Sequence, residues 1–559
     1  RLTLSCTAEE SLAVNQAGGV PVNLGAQIDG DSVTVTTDTG GSPAAIPAAT
    51  TTAAGAMTAA DRLRMISVRD HGAVGDGVTD DSAAFAAAYT ESVTVDGAGG
   101  VFIPCGEYRL TSPFAMDSIT KDSVLLGAGD CSQLLPGSVD MDIVQACDVA
   151  TCDGAGVKSV TIRDVYIFDD DTTGHASTGG TTGIRVSSAG FIEISSNHID
   201  GVGSEGIAIE LPSTSEGITI TDNRIENWAG GGTDLKYAIR KSAGVNLNLT
   251  NNLIRNGAFT SGAAVRSGGV LTEDGGGFQT VSLNKITDVD GPYVTQVGAQ
   301  NCCLMVQENF FGNSHHGSLP AVFITDGMLR DNFIAGSSGT TNSPSNTACL
   351  VEFDNSNPVM GNIMLATSPC SVSAPVVVDN WFLPNLQTPM TANEGVIQIK
   401  DPDFAGSSQG NLGARGNMIQ SLALGSLGSA ILVNTDSPVN VSDNTIERGV
   451  IKFQLESAMD TIVAHGNIFN EDPGRECFEI EQITVDVNIS SAVFSNNSTV
   501  PCSSELGTTP TPKITINPES TGAGLVIVGQ MSCSMNATSP FLPQWNCNGT
   551  RSEIAQGLT

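Results

Sequence analysis

Residues 217–225 read Gly217-Ile-Thr-Ile-Thr-Asp-Asn-Arg-Ile225, and this stretch contains both signals that decide the fold. Its first half alternates apolar and polar residues with period two, which indicates a strand with one buried face. Its second half places an apolar residue two positions after Asn223. Asn tolerates the left-handed backbone of a tight corner, and its amide bonds to nearby backbone. The stretch therefore predicts a strand that turns sharply into a second strand.

The pair formed by Asn and an apolar residue at i+2 recurs through the last two-thirds of the chain. The asparagines are Asn197, Asn223, Asn252, Asn284, Asn309, Asn332, Asn362, Asn380, Asn417, Asn444, Asn467 and, more weakly, Asn497. The eleven intervals between residues 197 and 497 average about 27 residues. A repeat of this length is typical of a solenoid, in which each unit buries its apolar face on its neighbours. The sequence predicts an all-β parallel β-helix, in which stacked Asn side chains can bond to one another in a ladder.

The composition excludes several classes of partner. Of the 559 residues, 15% are charged, 63 are glycine, and the formal net charge is −35. Such a chain repels a phosphate backbone or an anionic membrane surface, so we expect no nucleic-acid and no membrane partner. No run of about 18 apolar residues is present, so the sequence predicts no membrane-spanning helix. We expect no cofactor, although the acidity could recruit a divalent cation such as calcium; its commonest meaning is a solvated surface.

The 13 cysteines are informative because several are separated by about one coil. Equivalent positions on adjacent coils lie about 4.8 Å apart, within the Cα range of a disulfide. We therefore predict bridges between successive coils and within two local loops. The pairs are Cys105–Cys131, Cys349–Cys370, Cys477–Cys502, Cys147–Cys152 and Cys533–Cys547. The alternative is buried free thiols that pack as small hydrophobic residues. Together with seven Asn-X-Ser/Thr sequons, such bridges favour an extracellular location.

A glycine-rich turn and a short helix precede the repeats. We expect Val68 in a first strand and Thr79 or Asp80 as the helix N-cap, with an apolar helical face placed to cover the open end of the solenoid. The face comprises Phe85, Ala88 and Tyr89. Capping and turn bonding explain the neighbouring carboxylates more simply than catalysis does; they belong to Asp76, Asp80 and Asp81.

Residues 72–81, 103–108 and 126–129 resemble the N-terminal signature of the pectate-lyase-like superfamily. The resemblance implies a right-handed, single-stranded parallel β-helix. It implies little about activity, because the superfamily includes phage tailspikes, polysaccharide lyases and hydrolases, and noncatalytic surface proteins. Residues 49–64 are similar to a segment of viral tail fibres, which implies a connector between an anchor and a spike body; a low-complexity Ala/Thr linker is the alternative.

These features divide the chain into four parts. Residues 1–48 form an anchoring segment with a short strand at Val33–Val35, and residues 49–66 form the connector. Residues 67–505 form the β-helix, and residues 506–559 form a C-terminal β segment. By analogy with viral spikes, this last segment would lock three chains into a homotrimer.

Candidates for catalysis are weak. Hydrolysis of a glycan needs two carboxylates at a suitable separation, and the outer loops contain many acidic residues. The best histidine cluster for acid–base chemistry is a pair near a glutamate, and two aspartates lie upstream. These candidates are His315, His316, Glu308, Asp288 and Asp290. The motif order of polygalacturonases and the Arg-rich signature of pectate lyases are both missing, so no known catalytic pattern transfers.

Three hypotheses remain open from the sequence. The first is a virion spike or fibre that attaches to a host-surface glycan or receptor and contacts other virion subunits. The second is a secreted or cell-surface structural β-helix within an extracellular filament. The third is a secreted polysaccharide lyase or hydrolase. The tail-fibre-like segment favours the first, whereas the cysteines and sequons favour the second.

Overall fold

The computed structural model describes residues 65–469 with side chains, and only backbone strands outside that range. The gaps within it are residues 96–98, 118–120, 139, 147–156, 170–179, 188, 211–216, 230–234, 243–245, 258–266, 274–276, 298–303, 315–318, 337–348, 354–357, 367–369, 384–394, 402–411, 421–428, 436, 448 and 456–458. The chain divides into two compact units, Arg1–Leu63 and Arg64–Thr559.

The first unit contains a four-stranded antiparallel sheet in which each strand pairs with the next along the chain. Its strands are Thr3–Cys6, Ser11–Asn15, Val22–Asp29 and Ser32–Thr37. The last strand includes the segment 33–35 that the sequence predicts as extended.

The second unit is a parallel β-helix with three strands per coil, as the repeat predicts. Each strand pairs in parallel with the equivalent strand of the next coil, so three outer faces run along the solenoid. We number the faces in the order in which the chain meets them around one coil, beginning with the strand that precedes the recurrent Asn. The alternation of buried and outward residues in each strand follows from the pleat.

Face 1 precedes the Asn corner. Its strands are Met65–Ser67, Gly100–Ile103, the first part of Ser123–Pro136, the first part of Val157–Phe168, Ala189–Ser195, Gly217–Thr221, Leu247–Thr250, Gln279–Ser282, Leu304–Gln307, Gly327–Arg330, Val359–Met360, Val376–Val378, Leu412–Arg415, Val439–Ser442, Met459–His465 and Ile489–Ser495.

Face 2 follows the Asn corner. Its strands are Asp76–Asp80, Gly106–Leu110, the second parts of Ser123–Pro136 and Val157–Phe168, His198–Asp200, Arg224–Glu226, Leu253–Arg255, Lys285–Thr287, Phe310–Ser314, Phe333–Gly336, Ile363–Ala366, Trp381–Phe382, Met418–Ile419, Thr445–Ile446, Ile468–Asn470 and Ser498–Val500.

Face 3 closes each coil. Its strands are Phe114–Met116, Asp142–Ala146, Thr182–Val186, Ile207–Ile209, Lys236–Lys241, Ser267–Glu273, Val294–Val297, Val322–Ile324, Val351–Phe353, Val372–Ser373, Gly395–Lys400, Ser429–Asn434, Ile451–Leu455, Phe478–Gln482 and Ile514–Asn517, and the antiparallel strands Cys533–Asn536 and Gln544–Cys547 extend this sheet.

The asparagines from 197 to 467 stack in one continuous row between faces 1 and 2. Asn223 is representative: its Nδ2 donates to Asn252 Oδ1 at 3.0 Å and to the carbonyl of Ile194 at 2.9 Å. Its backbone N–H also donates to Asn252 Oδ1. The sequence interval between partners varies from 18 residues at Asn362–Asn380 to 37 at Asn380–Asn417. The ladder stays continuous because the additional residues lie between the strands of a coil in sequence and not at the corner.

The left-handed residue of this corner is not the Asn itself, as the sequence suggested, but the residue before it. All eleven such residues have φ between 53° and 66°: Ser196, Asp222, Asn251, Leu283, Glu308, Asp331, Gly361, Asp379, Gly416, Asp443 and Gly466. The ladder asparagines are at most 3% exposed. A buried amide that bonds to both neighbouring coils therefore explains the choice of Asn better than conformational tolerance does.

The interior is a continuous aliphatic stack. Ile225, which follows the quoted Asn223 at i+2, is 0% exposed, as are Ile199 and Ile254 in the adjacent coils. Burial of each such side chain stabilises the fold by about 1.5–3 kcal/mol.

The N-terminal end of the coil is covered by the helix Ser82–Thr94, and Phe85 and Tyr89 lie on its buried face. Phe85 contacts the rings of Tyr108 and Phe114 edge to face, at centroid distances of 5.4 and 5.5 Å. The helix begins one residue later than predicted, because its N-cap is Asp81 and not Thr79 or Asp80. Val68 begins a 3-10 helix, Val68–His71, after the strand Met65–Ser67 rather than lying in that strand.

The three aspartates of this region are engaged in local hydrogen bonds. Asp81 accepts from the backbone N–H groups of Val74 and Gly75 at 2.6 and 3.1 Å, and so makes no side-chain cap. Hydrogen bonds from the Thr79 backbone hold the pKa of Asp76 below its usual value. Bonds from the hydroxyls of Ser82 and Thr111 do the same for the pKa of Asp80.

Two of the cysteine pairs form disulfides between successive coils. The Cα atoms are 4.6 Å apart in Cys105–Cys131 and 4.5 Å apart in Cys349–Cys370. Cys533 lies opposite Cys547 in an antiparallel backbone pair. The predicted pairs Cys477–Cys502 and Cys147–Cys152 lie outside the described residues. The described part of the chain contains no helix with the length and hydropathy of a membrane span.

Candidate functional face

Face 2 presents two columns of outward side chains that run along the solenoid. The first column consists of the residue after each ladder Asn, together with Tyr166 in the coil before Asn197. The second column lies two residues further on, with a buried residue between the two columns. The first column comprises Tyr166, His198, Arg224, Leu253, Lys285, Phe310, Phe333, Ile363, Trp381, Met418, Thr445 and Ile468. The second comprises Phe168, Asp200, Glu226, Arg255, Thr287, Gly312, Ala335, Leu365, Leu383, Gln420 and Glu447.

The N-terminal part of these columns is mostly polar, and we call its polar side chains, together with the neighbouring Asp130, the charged cluster. It comprises Asp130, Tyr166, His198, Asp200, Arg224, Glu226 and Arg255. The three coils that carry most of it begin their face 2 strands at His198, Arg224 and Leu253. Because the strands pair in register, residues far apart in sequence become nearest neighbours across the coils.

Glu226 is the centre of the charged cluster and is only 4% exposed. Its carboxylate lies 2.5 Å from Arg224 Nε in an ion pair and accepts a hydrogen bond from Arg255 Nε. His198 Nε2 lies 3.2 Å from Glu226 Oε2. Burial opposes ionisation, but the hydrogen bonds and charges of Arg255 and Arg224 outweigh it and hold the pKa of Glu226 below its ordinary value. Glu226 is therefore a carboxylate at neutral pH.

Tyr166 and His198 form a stacked pair beside this carboxylate. Their rings are nearly parallel, at 9°, with centroids 4.3 Å apart. Burial, followed by the negative charge of Asp200, raises the pKa of Tyr166 to about 12. The phenol is thus a proton donor at neutral pH, and its oxygen lies 3.5 Å from Asp200 Oδ2. On the other side of the imidazole, Nδ1 lies 3.7 Å from Asp130 Oδ1.

The charged cluster carries the groups that recognise an anion. The side chains of Arg224 and Arg255 are 44% and 40% exposed. Each engages Glu226 through Nε, which leaves the terminal guanidinium nitrogens as donors for a ligand oxygen. Lys285 lies just beyond the charged cluster, in the first column of the next coil, and is exposed. Three successive coils therefore present cationic groups on a chain whose net charge is −35.

The C-terminal part of the same columns is apolar, and we call it the apolar surface. It comprises Phe310, Phe333, Ala335, Ile363, Leu365, Trp381, Leu383 and Met418. Phe310, Trp381 and Met418 are 44%, 40% and 42% exposed. Phe310 and Phe333 stack on each other with centroids 4.9 Å apart and planes at 6°.

Face 3 carries a separate ionic network. Arg185 donates to Asp142 Oδ2 at 2.8 Å and to Glu210 Oε1 at 2.5 Å. Arg240 lies 3.7 Å from the same Glu210 oxygen and donates to Glu273 at 3.1 Å. Opposite charges thus alternate from coil to coil, and each is paired with its neighbours. This network joins coils to one another and presents no group for a ligand.

The structure describes three of the five catalytic candidates drawn from the sequence. We call the left-handed residues that precede the ladder asparagines the left-handed row. Glu308 is an exposed member of this row, immediately before Asn309. Asp288 lies at the next corner, after face 2. Its backbone is left-handed, and its N–H donates to the Gly312 carbonyl. Asp290 is only 5% exposed, and its backbone N–H donates to Ser267 Oγ. His315 and His316 lie outside the described residues. Within the described ranges, no three His, Cys, Asp or Glu side chains are grouped to hold a metal ion.

The sequence offers Glu226 only as one of many acidic candidates and does not single out the other residues of the charged cluster, although a signal is present. His198 and Arg224 directly follow ladder asparagines, so their outward position could be deduced from the repeat itself. Tyr166 precedes the first ladder Asn, Asn197, and only the observed register places it beside His198.

Comparisons with known proteins support the fold. The family model described as rhamnogalacturonase A/epimerase, pectate lyase-like, matches residues 65–317. No curated protein matches the chain in sequence.

Similar solved structures include proteins from viruses and from bacteria. ORF18 of Geobacillus virus E2 is 15% identical over 68% of this chain and 62% of its own, with a TM-score of 0.34. The chain therefore spans less than two-thirds of that protein. The pre-mature bacteriophage phi29 gene product 12 is 12% identical over 89% of this chain and 77% of its own, with a TM-score of 0.41.

A third similar structure is the A-module of the mannuronan C-5 epimerase AlgE6 from Azotobacter vinelandii. It is 14% identical over 78% of this chain and 99% of its own, with a TM-score of 0.37. At such scores and identities, none of the three structures assigns an activity to this chain. The repeat, the parallel coils and the family match agree: the chain carries a pectate-lyase-like β-helix domain in residues 65–317.

Proposed function

We propose that this protein is an extracellular attachment protein of the spike or fibre type, and that its charged cluster binds an extended acidic glycan on a host surface. The observation that carries the proposal is the set of cationic side chains in successive coils of face 2. Arg224, Arg255 and Lys285 follow one another along the solenoid axis beside the Tyr166–His198 stack. The tail-fibre-like residues 49–64 favour a virion as its location.

The chemistry of the charged cluster fits a polymer that carries carboxylate or sulfate groups. Guanidinium groups bind such oxyanions through paired hydrogen bonds. Because equivalent side chains recur at the strand spacing of about 4.8 Å, the donors form a line rather than a pocket. A line of donors suits a chain-like ligand that lies along the solenoid. The remainder of the acidic surface repels polyanions, so binding should be confined to this cluster.

Binding of defined oligosaccharides by calorimetry tests the proposal. The folded protein should bind uronate-containing or sulfated oligosaccharides and should not bind neutral ones of the same length. Arg255→Gln should raise the Kd about 10-fold or more, since a hydrogen bond to a charged group contributes about 1.5–3 kcal/mol. Arg330→Gln is a matched control, because Arg330 is similarly exposed but lies on face 1. Equal affinities for the two variants, or equal binding of neutral glycans, would refute the proposal.

A second candidate function is cleavage of the bound glycan by a lyase or hydrolase mechanism. The observation in its favour is that Tyr166, with a raised pKa, and His198 lie together beside the ionised Glu226. Such a set can donate and accept protons in one reaction. Incubation with acidic glycans should then release unsaturated or reducing ends, and Tyr166→Phe should abolish the release while leaving the Kd nearly unchanged. Binding without any product would leave attachment as the sole function.

The remaining hypothesis, a structural β-helix in an extracellular filament, is favoured by the disulfides Cys105–Cys131 and Cys349–Cys370, because such bridges persist in oxidising compartments. Electron microscopy of the native assembly distinguishes this hypothesis from a spike. Particles that carry the protein at a virion surface would support the spike, and continuous filaments would support the alternative.

A further inference from the structure

We propose that a second copy of this chain docks on the apolar surface of face 2, so that the solenoids associate side by side. This proposal does not depend on glycan binding, because it concerns the coils from Phe310 to Met418 and not the charged cluster.

The apolar surface is continuous over five coils. In the first column, Phe310, Phe333, Ile363, Trp381 and Met418 follow one another in register. The second column adds Gly312, Ala335, Leu365, Leu383 and Gln420 beside them. The largest contiguous apolar patch on a typical monomeric protein covers about 300–600 Å² and is often a functional surface.

The absence of charge is the first argument for another copy of the same chain. The ten outward residues of these five coils include neither an acidic nor a basic side chain, whereas the chain as a whole has 59 acidic and 24 basic residues. Two copies with a net charge of −35 each repel one another almost everywhere. This uncharged stripe is where two copies can approach at the lowest electrostatic cost.

The orientation of the aromatic rings argues against a sugar as the occupant. Sugars pack on the open face of an aromatic ring. Here one face of the Phe310 ring packs on one face of the Phe333 ring, and Lys285 Nζ lies over the Phe310 ring, 5.8 Å from its centroid. The Lys285–Phe310–Phe333 stack therefore leaves ring edges for an outside partner, and edges pack well against the side chains of another protein.

The size of the apolar surface matches the apolar centre of a protein interface. With three large side chains exposed by 40–44% and smaller contributions from their neighbours, the apolar area is roughly 400–500 Å² per copy. A standard interface buries about 800 Å² per partner, of which about 65% is apolar in homodimers. The remaining area would come from the polar residues on either side.

One side of the apolar surface is bordered by acidic residues of the left-handed row. Glu308, Asp331 and Asp379 are exposed and lie one residue before the ladder Asn of their coils. In a side-by-side assembly of identical chains, these residues form a like-charged rim. Added salt screens such repulsion. Self-association through this surface should therefore strengthen with ionic strength, whereas association through ion pairs would weaken.

Sedimentation velocity and light scattering on the full chain test the proposal. At micromolar concentration the mass should be a multiple of 57.4 kDa, with a larger multimeric fraction at high salt. Trp381→Lys and Met418→Glu, which place charges on exposed positions, should each shift the protein to 57.4 kDa. Phe191→Lys is the matched control, because Phe191 is 46% exposed on face 1, and this variant should keep the wild-type mass. Melting curves should show that all three variants fold.

Two results would overturn the proposal. The first is a wild-type protein that stays at 57.4 kDa at all salt concentrations. The second is a folded Trp381→Lys variant that keeps the wild-type multimer, which would place the interface elsewhere on the chain.

Discussion

Asn252 Nδ2 donates a hydrogen bond to Asn284 Oδ1 at 2.9 Å, although the two residues are 32 positions apart in the sequence. The same Asn284 oxygen accepts from the backbone N–H of Asn252. One side chain thus satisfies two donors of the preceding coil, and its own Nδ2 donates to Ser282 and Leu249 carbonyls and to Asn309. Every internal member of the ladder repeats this role, and the corner that it builds sets the register of face 2.

Replacing an internal ladder residue should therefore destabilise the protein strongly. Asn284→Leu leaves the buried backbone N–H of Asn252 without its acceptor and removes the bonds that Asn284 Nδ2 donates to the Leu249 and Ser282 carbonyls, which should cost about 2–5 kcal/mol of unfolding free energy. Asn248→Leu is the control, because Asn248 is exposed on face 1 and should change stability by about 0.5 kcal/mol or less. Thermal and urea unfolding measure both variants. Equal melting temperatures would contradict the importance of the ladder.

Asp331 and Gly361 occupy the same corner in adjacent coils. We therefore expect their substitutions to have non-additive effects on the free energy of unfolding. A β-carbon at Gly361, where φ is 66°, would overlap Asp331 Oδ1. Gly361→Ala should cost about 1–3 kcal/mol through backbone strain and this overlap. Asp331→Ala should itself cost about 1 kcal/mol, because Asp331 is also left-handed, with φ of 55°. The double variant should lose less stability than the sum of the two single variants. A double-mutant cycle by urea unfolding tests this; strict additivity would show that the two positions do not interact.

The lowered pKa of Glu226 predicts that the stability of the protein depends on pH. The folded pKa of Glu226 lies below the ordinary value of 4.5, so its pairing contributes stability above pH 4.5 that is lost as the pH falls through the lower folded pKa. Glu226→Gln should lower the melting temperature at pH 7. The difference between wild type and variant should shrink as the pH falls below 4.5. Other carboxylates titrate in both proteins, so the difference curve is the relevant measurement. A difference that is constant with pH would contradict the assignment.

The two inter-coil disulfides predict resistance to unfolding under oxidising conditions. Non-reducing peptide mapping should recover Cys105–Cys131 and Cys349–Cys370 as linked peptides. Replacement of Cys349 and Cys370 by serine should cost about 3 kcal/mol, the usual contribution of a bridge that closes a loop of this length. Reductant should lower the melting temperature of the wild-type protein by more than that of this variant. Free thiols at all four positions would refute the pairing.

The residue two positions after each ladder Asn points into the core. A charged substitution at this position should therefore destabilise the fold more than any other single change proposed above. Ile225→Asp places a carboxylate at a site that is 0% exposed, and an unpaired buried charge costs several kcal/mol, so the variant should fail to fold. Thr219→Asp is the control, because Thr219 lies on face 1 between the buried Ile218 and Ile220 and points outward. Soluble yield and circular dichroism compare the two. A normal melting curve for Ile225→Asp would contradict the inward assignment.

The fold could be predicted from the sequence because one residue type, Asn, recurs at the position that has the same structural role in every coil. The spacing of Asn223 and Ile225 identified both the corner and the buried stack. It assigned the left-handed conformation to the wrong residue, because Asn is favoured at such positions in general, whereas here its amide serves the ladder. The helix N-cap was predicted at Thr79 or Asp80 for a similar reason, because their side chains favour capping in general. The N-cap is Asp81, whose side chain bonds to Val74 and Gly75 and does not cap the helix.

The charged cluster could be predicted only in part. Arg224 and Arg255 lie outward at fixed offsets from ladder asparagines, which the repeat shows. Their convergence on Glu226 depends on the register between coils, and Tyr166 joins them from a coil that has no ladder Asn. The sequence pointed instead to Glu308 and Asp290, which are acidic and close together in the chain but are held in different rows of the solenoid.

The most direct test of the account is an electron cryomicroscopy structure of the protein with a uronate-containing oligosaccharide. We predict density for the sugar chain along face 2, with its carboxylates at the guanidinium groups of Arg224 and Arg255. Sugar density on face 1 or face 3, or none at a saturating concentration, would contradict the account.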